Sequence, residues 1–163
     1  MLFRSNTLAA DKVEAERDRF RAAVDKSLRQ LSKLGSKSAS LPPNVAEEIG
    51  FLLDAHVQML SHSRLVRGVE RRILEERLNA EAAVQAEISA IAKGFAAMED
   101  AYLAARVQEV REVGTRLIRN LTQVPYQAFK NLPEGTIVLS EEITPADTAL
   151  MDPDRLAGFC TVL

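Results

Sequence analysis

The sequence predicts a mainly α protein with a short α/β tail, and two observations carry that prediction. From Met98 to Leu121, the apolar residues Leu103, Val107, Val110, Val113, Leu117 and Leu121 recur at intervals of three and four, the spacing of one helix face. The same period runs through the earlier segments and stops at Thr122. Beyond it come Pro125, Pro133–Gly135 and two short β-branched or apolar runs, which read as a connector and strands.

The elements follow in order. From Asp11 to Leu34, Val13, Phe20, Val24, Leu28 and Leu31 define a helix, and Gly35 stands where a helix C-terminus favours glycine. Ser36–Pro43 reads as a loop, because its prolines resist a continuing helix. Asn44 is placed to cap the next helix, with Glu47 completing a capping box. That helix, Val45–Leu60, carries two apolar stripes: Ile49, Leu53, Val57 and Leu60, and beside it Phe51, Leu52, Ala55 and Met59. One packed face needs one stripe, so the second is either a broad core face or a surface for another helix or protein. Glu47 and Glu48 give it an acidic margin.

Ser61–Ser63 interrupts the pattern, and Leu65, Val66, Val69, Ile73 and Leu74 resume it. Asn79 is a cap candidate for a helix with Val84, Ile88, Ile91, Phe95 and Met98 inward, and the helix after Met98–Asp100 completes an antiparallel hairpin with it. In that last helix Glu112 and Arg116 have the favourable order for an ion pair, and interior Gly114, costing roughly 1 kcal/mol against alanine, implies close helix–helix approach. Its Arg/Glu alternation (Arg106, Glu109, Arg111, Glu112, Arg116, Arg119) reads as a solvated face. In the tail, Thr136–Ser140 reads as a strand, Thr144-Pro145-Ala146-Asp147 as the start of a short helix, Asp152-Pro153 as a turn and Phe159–Leu163 as a second strand. Two short strands cannot make a self-sufficient sheet, so the chain reads as cut.

At 163 residues, with 47% apolar and 27% charged residues, the chain has the means to bury a core. A net charge of −2 offers no electrostatic footprint for nucleic acid or an anionic membrane. The single Cys160 cannot form an internal disulfide, no apolar run reaches about 18 residues, and MLFRSNTLAADK lacks a signal-peptide core, so the expectation is a soluble cytoplasmic protein. There is no Gly-rich phosphate loop, CxxC, HExxH or GxSxG. His56 and His62, six apart, do not share a helix face, so no metal pair is expected. His56, among Leu52, Leu53, Met59 and Leu60, reads as a partly buried histidine with a backbone partner or as a partner contact. His62 reads as a solvated turn residue, Thr148 as a residue bonding back into its helix, and Cys160 as a small core residue.

Taken together, Asp54–Leu60 (DAHVQML), Asn79–Val84 (NAEAAV), Met98–Leu121 and Ile137–Thr161 resemble enzyme I, the phosphoenolpyruvate–protein phosphotransferase of the bacterial sugar phosphotransferase system. The likeness covers residues 13 to 163. It implies a helical-hairpin, four-helix-like subdomain at 11–122 that binds the phosphocarrier HPr, a connector at 123–135 and the start of an α/β phosphohistidine subdomain at 136–163. The family's active histidine would follow Leu163, so no catalytic residue is expected here, and this chain alone is expected not to take phosphate from phosphoenolpyruvate. Phosphoenolpyruvate, Mg²⁺ and dimerisation belong to a separate barrel domain in the family, so no cofactor or metal is expected in this chain. The resemblance places Glu47, Glu48, Leu52, His56, Met59 and Arg106 on the HPr surface, and Phe51 belongs to the same stripe. It matches Thr148 to a threonine that hydrogen-bonds the active histidine. Family members often carry acids after the His-containing helix, whereas this chain has Ser61-His62-Ser63-Arg64. A nitrogen-branch paralogue with an HPr-like carrier therefore stays open, as does a non-catalytic helical interaction module; in the all-structural alternative the second stripe is core, and Leu52→Glu unfolds the protein.

Overall fold

The computed structural model describes residues 7–61, 63–97, 101–123, 132–140, 143, 148 and 151–161, with the backbone alone at 101–105, 140 and 161. Among these residues the order is α1 Val13–Ser38, α2 Pro43–Leu60, α3 Arg64–Glu75, α4 Ala80–Ala96, α5 Ala101–Thr122, β1 Thr136–Ser140 and β2 Leu156–Thr161. The mainly α reading with a two-stranded tail is therefore the observed fold. His62, Met98, Pro125, the Thr144–Asp147 helix start and the last two residues of the expected second strand lie outside the described residues, as does the side chain of Leu103.

Two helix ends differ from the sequence reading. α1 runs through Gly35 to Ser38. Leu31, Leu34 and Ser38 are buried at spacings of three and four, and packing of that face outweighs the cost of one helical glycine. α2 starts at Pro43, with the Pro42 carbonyl accepting from Ala46 N at 2.9 Å. Proline suits a first helical position because the missing N–H would be unpaired there anyway. Asn44 therefore sits inside the first turn and is not the cap. β2 also begins three residues earlier than expected, at Leu156.

The chain divides into two compact units, and the division falls inside α1 and α2. The first holds Met1–Leu31 and Leu53–Val124. Its core contains Phe20, Leu31, Leu60, Val69, Ile73, Val84, Val113 and Leu117. The sequence reading placed Leu28 in this row, but Leu28 is half-buried and Ser27 is fully buried instead. Ser27 accepts from Asn120 Nδ2 at 2.8 Å, and Asn120 also contacts Gln30, so a polar seam joins α1 to α5. Leu74 is exposed and Ile88, Ile91 and Phe95 are half-buried, because α4 buries its small residues Ala80, Ala82 and Ala83 along with Val84. Gly114 has the role its position implied: a Cβ there would overlap Ile88 Cδ1 and touch Val84, so α4 and α5 meet across it.

Charged side chains stitch this unit's helix ends. Glu16 Oε1 accepts from Ala80 N at 2.7 Å, so a carboxylate of α1 caps α4. Arg19 bonds Glu16 (2.7 Å), Glu81 (2.6 Å) and the Leu121 carbonyl (3.1 Å), joining α1 to both hairpin helices. Buried Glu87 accepts from Arg72 Nε at 2.8 Å, and Gly68 leaves the room its carboxylate occupies.

The second unit holds Ser32–Leu52 and Pro125–Leu163. In it, β1 and β2 pair in parallel, Val138 opposite Phe159 and Leu139 opposite Cys160. Gly135, at φ +81°, turns the chain into β1 and donates to the Arg155 carbonyl at 3.0 Å. Asp152 to Arg155 forms the expected turn, with Asp154 N donating to Asp152 Oδ1 at 3.1 Å. Val138 is buried, while Ile137, Leu139, Phe159 and Cys160 are exposed, so Cys160 is not a core residue.

Candidate partner-binding site

α2 organises the candidate site, because its two apolar rows are treated differently by the fold. Ile49, Leu53 and Leu60 are buried. In the other row Phe51 is 69% exposed, and Leu52, Ala55 and Met59 are half-buried. Glu47 and Glu48 are exposed. A phenylalanine on a helix surface forgoes a burial of about 1.5–3 kcal/mol.

His56 is the point of difference. It is only 2% exposed, so it does not present a surface for direct contact. The reason is helical phase: His56 completes the row Ile49, Leu53, His56, Leu60 at steps of four, three and four, whereas Val57, assigned to that row from the sequence, is half-buried. Its Nε2 has no hydrogen-bond partner among the described residues and lies 3.8 Å from Glu112 Oε2 on α5, beyond hydrogen-bond range. Burial above all, and then the Arg116 cation, hold its pKa below the ordinary value, with Glu109 acting in the opposite sense. The ring is neutral at pH 7.

The α5 residues around it form one charged group. Arg106 Nη1 donates to Glu109 Oε2 at 2.7 Å, and Arg116 Nη1 donates to Gln30 on α1 at 3.3 Å. The Arg/Glu alternation is therefore not a purely solvated face: Arg106, Glu109, Glu112, Arg116 and Arg119 are half-buried and Arg111 alone is exposed. Arg106 and His56 lie in the same unit, the first bonded to Glu109 and the second 3.8 Å from Glu112. Glu47, Glu48, Phe51 and Leu52 lie in the N-terminal part of α2, which belongs to the second unit. Thr148 is exposed, its carbonyl accepting from Met151 N at 3.2 Å, and its neighbours at 144–147 and 149–150 lie outside the described residues.

Two features escaped the sequence reading. Glu112 as the neighbour of His56 has no sequence signal, since it depends on how α5 meets α2. Exposed Arg64, Arg67 and Arg71 on α3 did have one, a repeat of like charges at helical spacing. Among the described residues no group of three or more His, Cys, Asp or Glu is placed to hold a metal ion, and no helix is long and apolar enough to cross a membrane.

Comparison with known proteins adds independent observations. Residues 2–106 match the family model described as PEP-utilising enzyme, N-terminal. The phosphoenolpyruvate-protein phosphotransferase of Haloferax volcanii is 40% identical over 118 residues, covering 72% of this chain and 20% of that protein. The enzyme of the same name from Bacillus sp. (strain S) is 30% identical over 159 residues, covering 94% of this chain and 27% of its own length. This chain therefore spans about a fifth to a quarter of these relatives. A solution structure of Enzyme I superposes with a TM-score of 0.83 at 30% identity, covering 98% of this chain and 63% of that one. The N-terminal domain of Enzyme 1 - Nitrogen superposes with a TM-score of 0.70 at 25% identity, covering 96% and 61%.

Proposed function

We propose, from the premise that the chain belongs to the PEP-utilising enzyme family through its N-terminal region, that its task is to dock a phosphocarrier protein of the HPr type. In the proposal the whole enzyme carries a phosphoryl group from phosphoenolpyruvate by way of a histidine, and this region brings the carrier to that group. The observation that carries the reading is Phe51, 69% exposed on α2 beside half-buried Leu52, on a helix that also bears exposed Glu47 and Glu48. An aromatic anchor with charged neighbours is the usual composition of an interface hot spot. His56 and Arg106, which the resemblance also names, belong to the other unit: His56 is buried 3.8 Å from Glu112, and Arg106 is a partly exposed cation held by Glu109.

The test is a titration of isotope-labelled HPr from the same organism with this chain, followed by NMR. Shifts should cluster around the carrier's phosphorylatable histidine. Phe51→Glu should weaken binding at least about tenfold, the range of a hot-spot residue, while the far-ultraviolet dichroism and melting temperature stay close to the parent's. An unfolded Phe51→Glu would mean that the row is core, and unchanged binding would sink the docking face. The likeness to the nitrogen-type enzyme and the basic Arg64 in place of an acid favour one second reading, a carrier of the nitrogen branch. Running the same titration with that carrier decides between the two.

A further inference from the structure

α5 carries a polar row through the interior of the first unit. Arg106, Glu109, Glu112, Arg116 and Asn120 follow one another at steps of three, three, four and four, so they share a helix face, and all five are half-buried. The row is anchored at both ends. Arg106 Nη1 donates to Glu109 Oε2 at 2.7 Å, and Arg116 Nη1 donates to Gln30 Oε1 on α1 at 3.3 Å. Asn120 Nδ2 donates to Ser27 Oγ at 2.8 Å and to Gln30 Oε1 at 3.0 Å.

His56 stands against the middle of this row, on the stretch of α2 that belongs to the same unit. It is buried, and its Nε2 has no hydrogen-bond partner among the described residues. A buried polar nitrogen left unpaired is costly, so its presence in a fold calls for a reason. Glu112 Oε2 lies 3.8 Å from it. A charge-assisted N–H···O bond closes at about 2.7–2.9 Å, so the two atoms are about one ångström short of bonding. What the pair lacks is a charge on the ring.

We infer that His56 and Glu112 form an acid-operated latch between α2 and α5, in which a proton taken up by the buried ring draws the two side chains into a hydrogen-bonded ion pair. The proton comes from solvent and binds the free ring nitrogen, which makes both ring nitrogens donors. Nε2–H then donates to Glu112 Oε2, and loss of the proton opens the pair again. The surrounding charges set the operating range. Glu109 and Glu112 on α5 favour the imidazolium, the Arg116 cation opposes it, and α1 presents the neutral Gln30 to the cluster. Burial and Arg116 keep the latch open at pH 7 and leave its closure to acid. Ala55 and Met59, one residue before His56 and three after it, ride on the same part of α2 and belong to its half-open apolar row. The latch therefore makes the setting of that part of the row depend on pH, a local charge change read out through packing.

The experiment is a titration of the folded chain from about pH 7.5 to about pH 5, with the His56 ring nitrogens, the Met59 methyl and the amides of α5 followed by NMR. Every protein in the series carries His62→Gln, so that the histidine nearest in sequence is silent, and circular dichroism at each pH reports that the fold is intact. The Met59 methyl and the amides around Glu112 should move with the same midpoint as the His56 ring. Glu112→Gln keeps the side-chain shape and removes the charge, so the His56 midpoint should fall by about one pH unit and the movement at Met59 should vanish. Arg116→Gln should raise the midpoint, whereas Glu75→Gln, the loss of an exposed acid on α3, should leave it unchanged. In His56→Gln the Met59 methyl should not respond to pH at all. An equal His56 midpoint in the parent and in Glu112→Gln would overturn the latch. A ring that stays neutral until the chain unfolds would do the same, as would a ring that titrates while Met59 and α5 stay still.

Discussion

His56 shows how one residue acquires its properties from its surroundings. A ring 2% exposed, with Nε2 unpaired and a carboxylate at 3.8 Å, is held neutral, chiefly by burial. Its folded pKa lies below the ordinary 6.5, so the unfolded chain binds a proton that the native state refuses. The stabilising effect of the neutral ring is present in full above about pH 6.5 and is lost as pH falls from there towards the depressed folded value. Urea melts between pH 7.5 and pH 5 should therefore show the parent losing stability faster than His56→Gln. Parallel pH profiles for the two proteins would mean that His56 does not titrate on unfolding. The sequence placed an apolar environment around His56 but could not tell which face it joins, because residue 56 sits at the seam of two stripes and only the α2–α5 packing decides.

At the scale of elements, the helices of the first unit are joined by charge as well as by apolar contact. Arg72 is paired with buried Glu87 across α3 and α4, and Gly68 admits the carboxylate. Arg72→Ala strands a buried charge and should cost about 3 kcal/mol, whereas Arg72→Met/Glu87→Leu, which removes both charges, should cost markedly less. A double-mutant cycle from chemical denaturation measures the difference, and additive losses would contradict a coupled pair. Most of the α1 row and the Val110, Val113, Leu117 and Leu121 part of the α5 row were legible from spacing, as was the use of Gly114, whereas Leu28 and Val107 are half-buried. Ser27, Glu81 and Glu87 were not, since burial of a polar side chain depends on a partner far away in sequence: Asn120, Arg19 and Arg72 respectively.

For the whole molecule, the two units should differ in how they open. The first buries large side chains such as Phe20, Ile73 and Leu117 completely, while the parallel pair β1–β2 leaves Ile137, Leu139 and Phe159 exposed. Two strands with little burial give low local stability. Native-state hydrogen exchange should accordingly show the amides of Val84, Val113 and Leu117 as the slowest and those of Val138 and Leu139 exchanging well before them. Uniform protection across helices and strands would show instead that the units open together.

The sequence by itself determined the helical class, the order of the five helices and two strands among the described residues, the strand at Thr136–Ser140, the buried Ile49, Leu53 and Leu60 of α2 and the family, because each is written in local periodicity or in motifs that survive without neighbours. Tertiary structure decided where α1 stops, which α4 residues are buried, that His56 points inward and that Phe51 stays outside. Those outcomes depend on which surfaces meet, and a helix face becomes core or interface only when another element covers it or leaves it open.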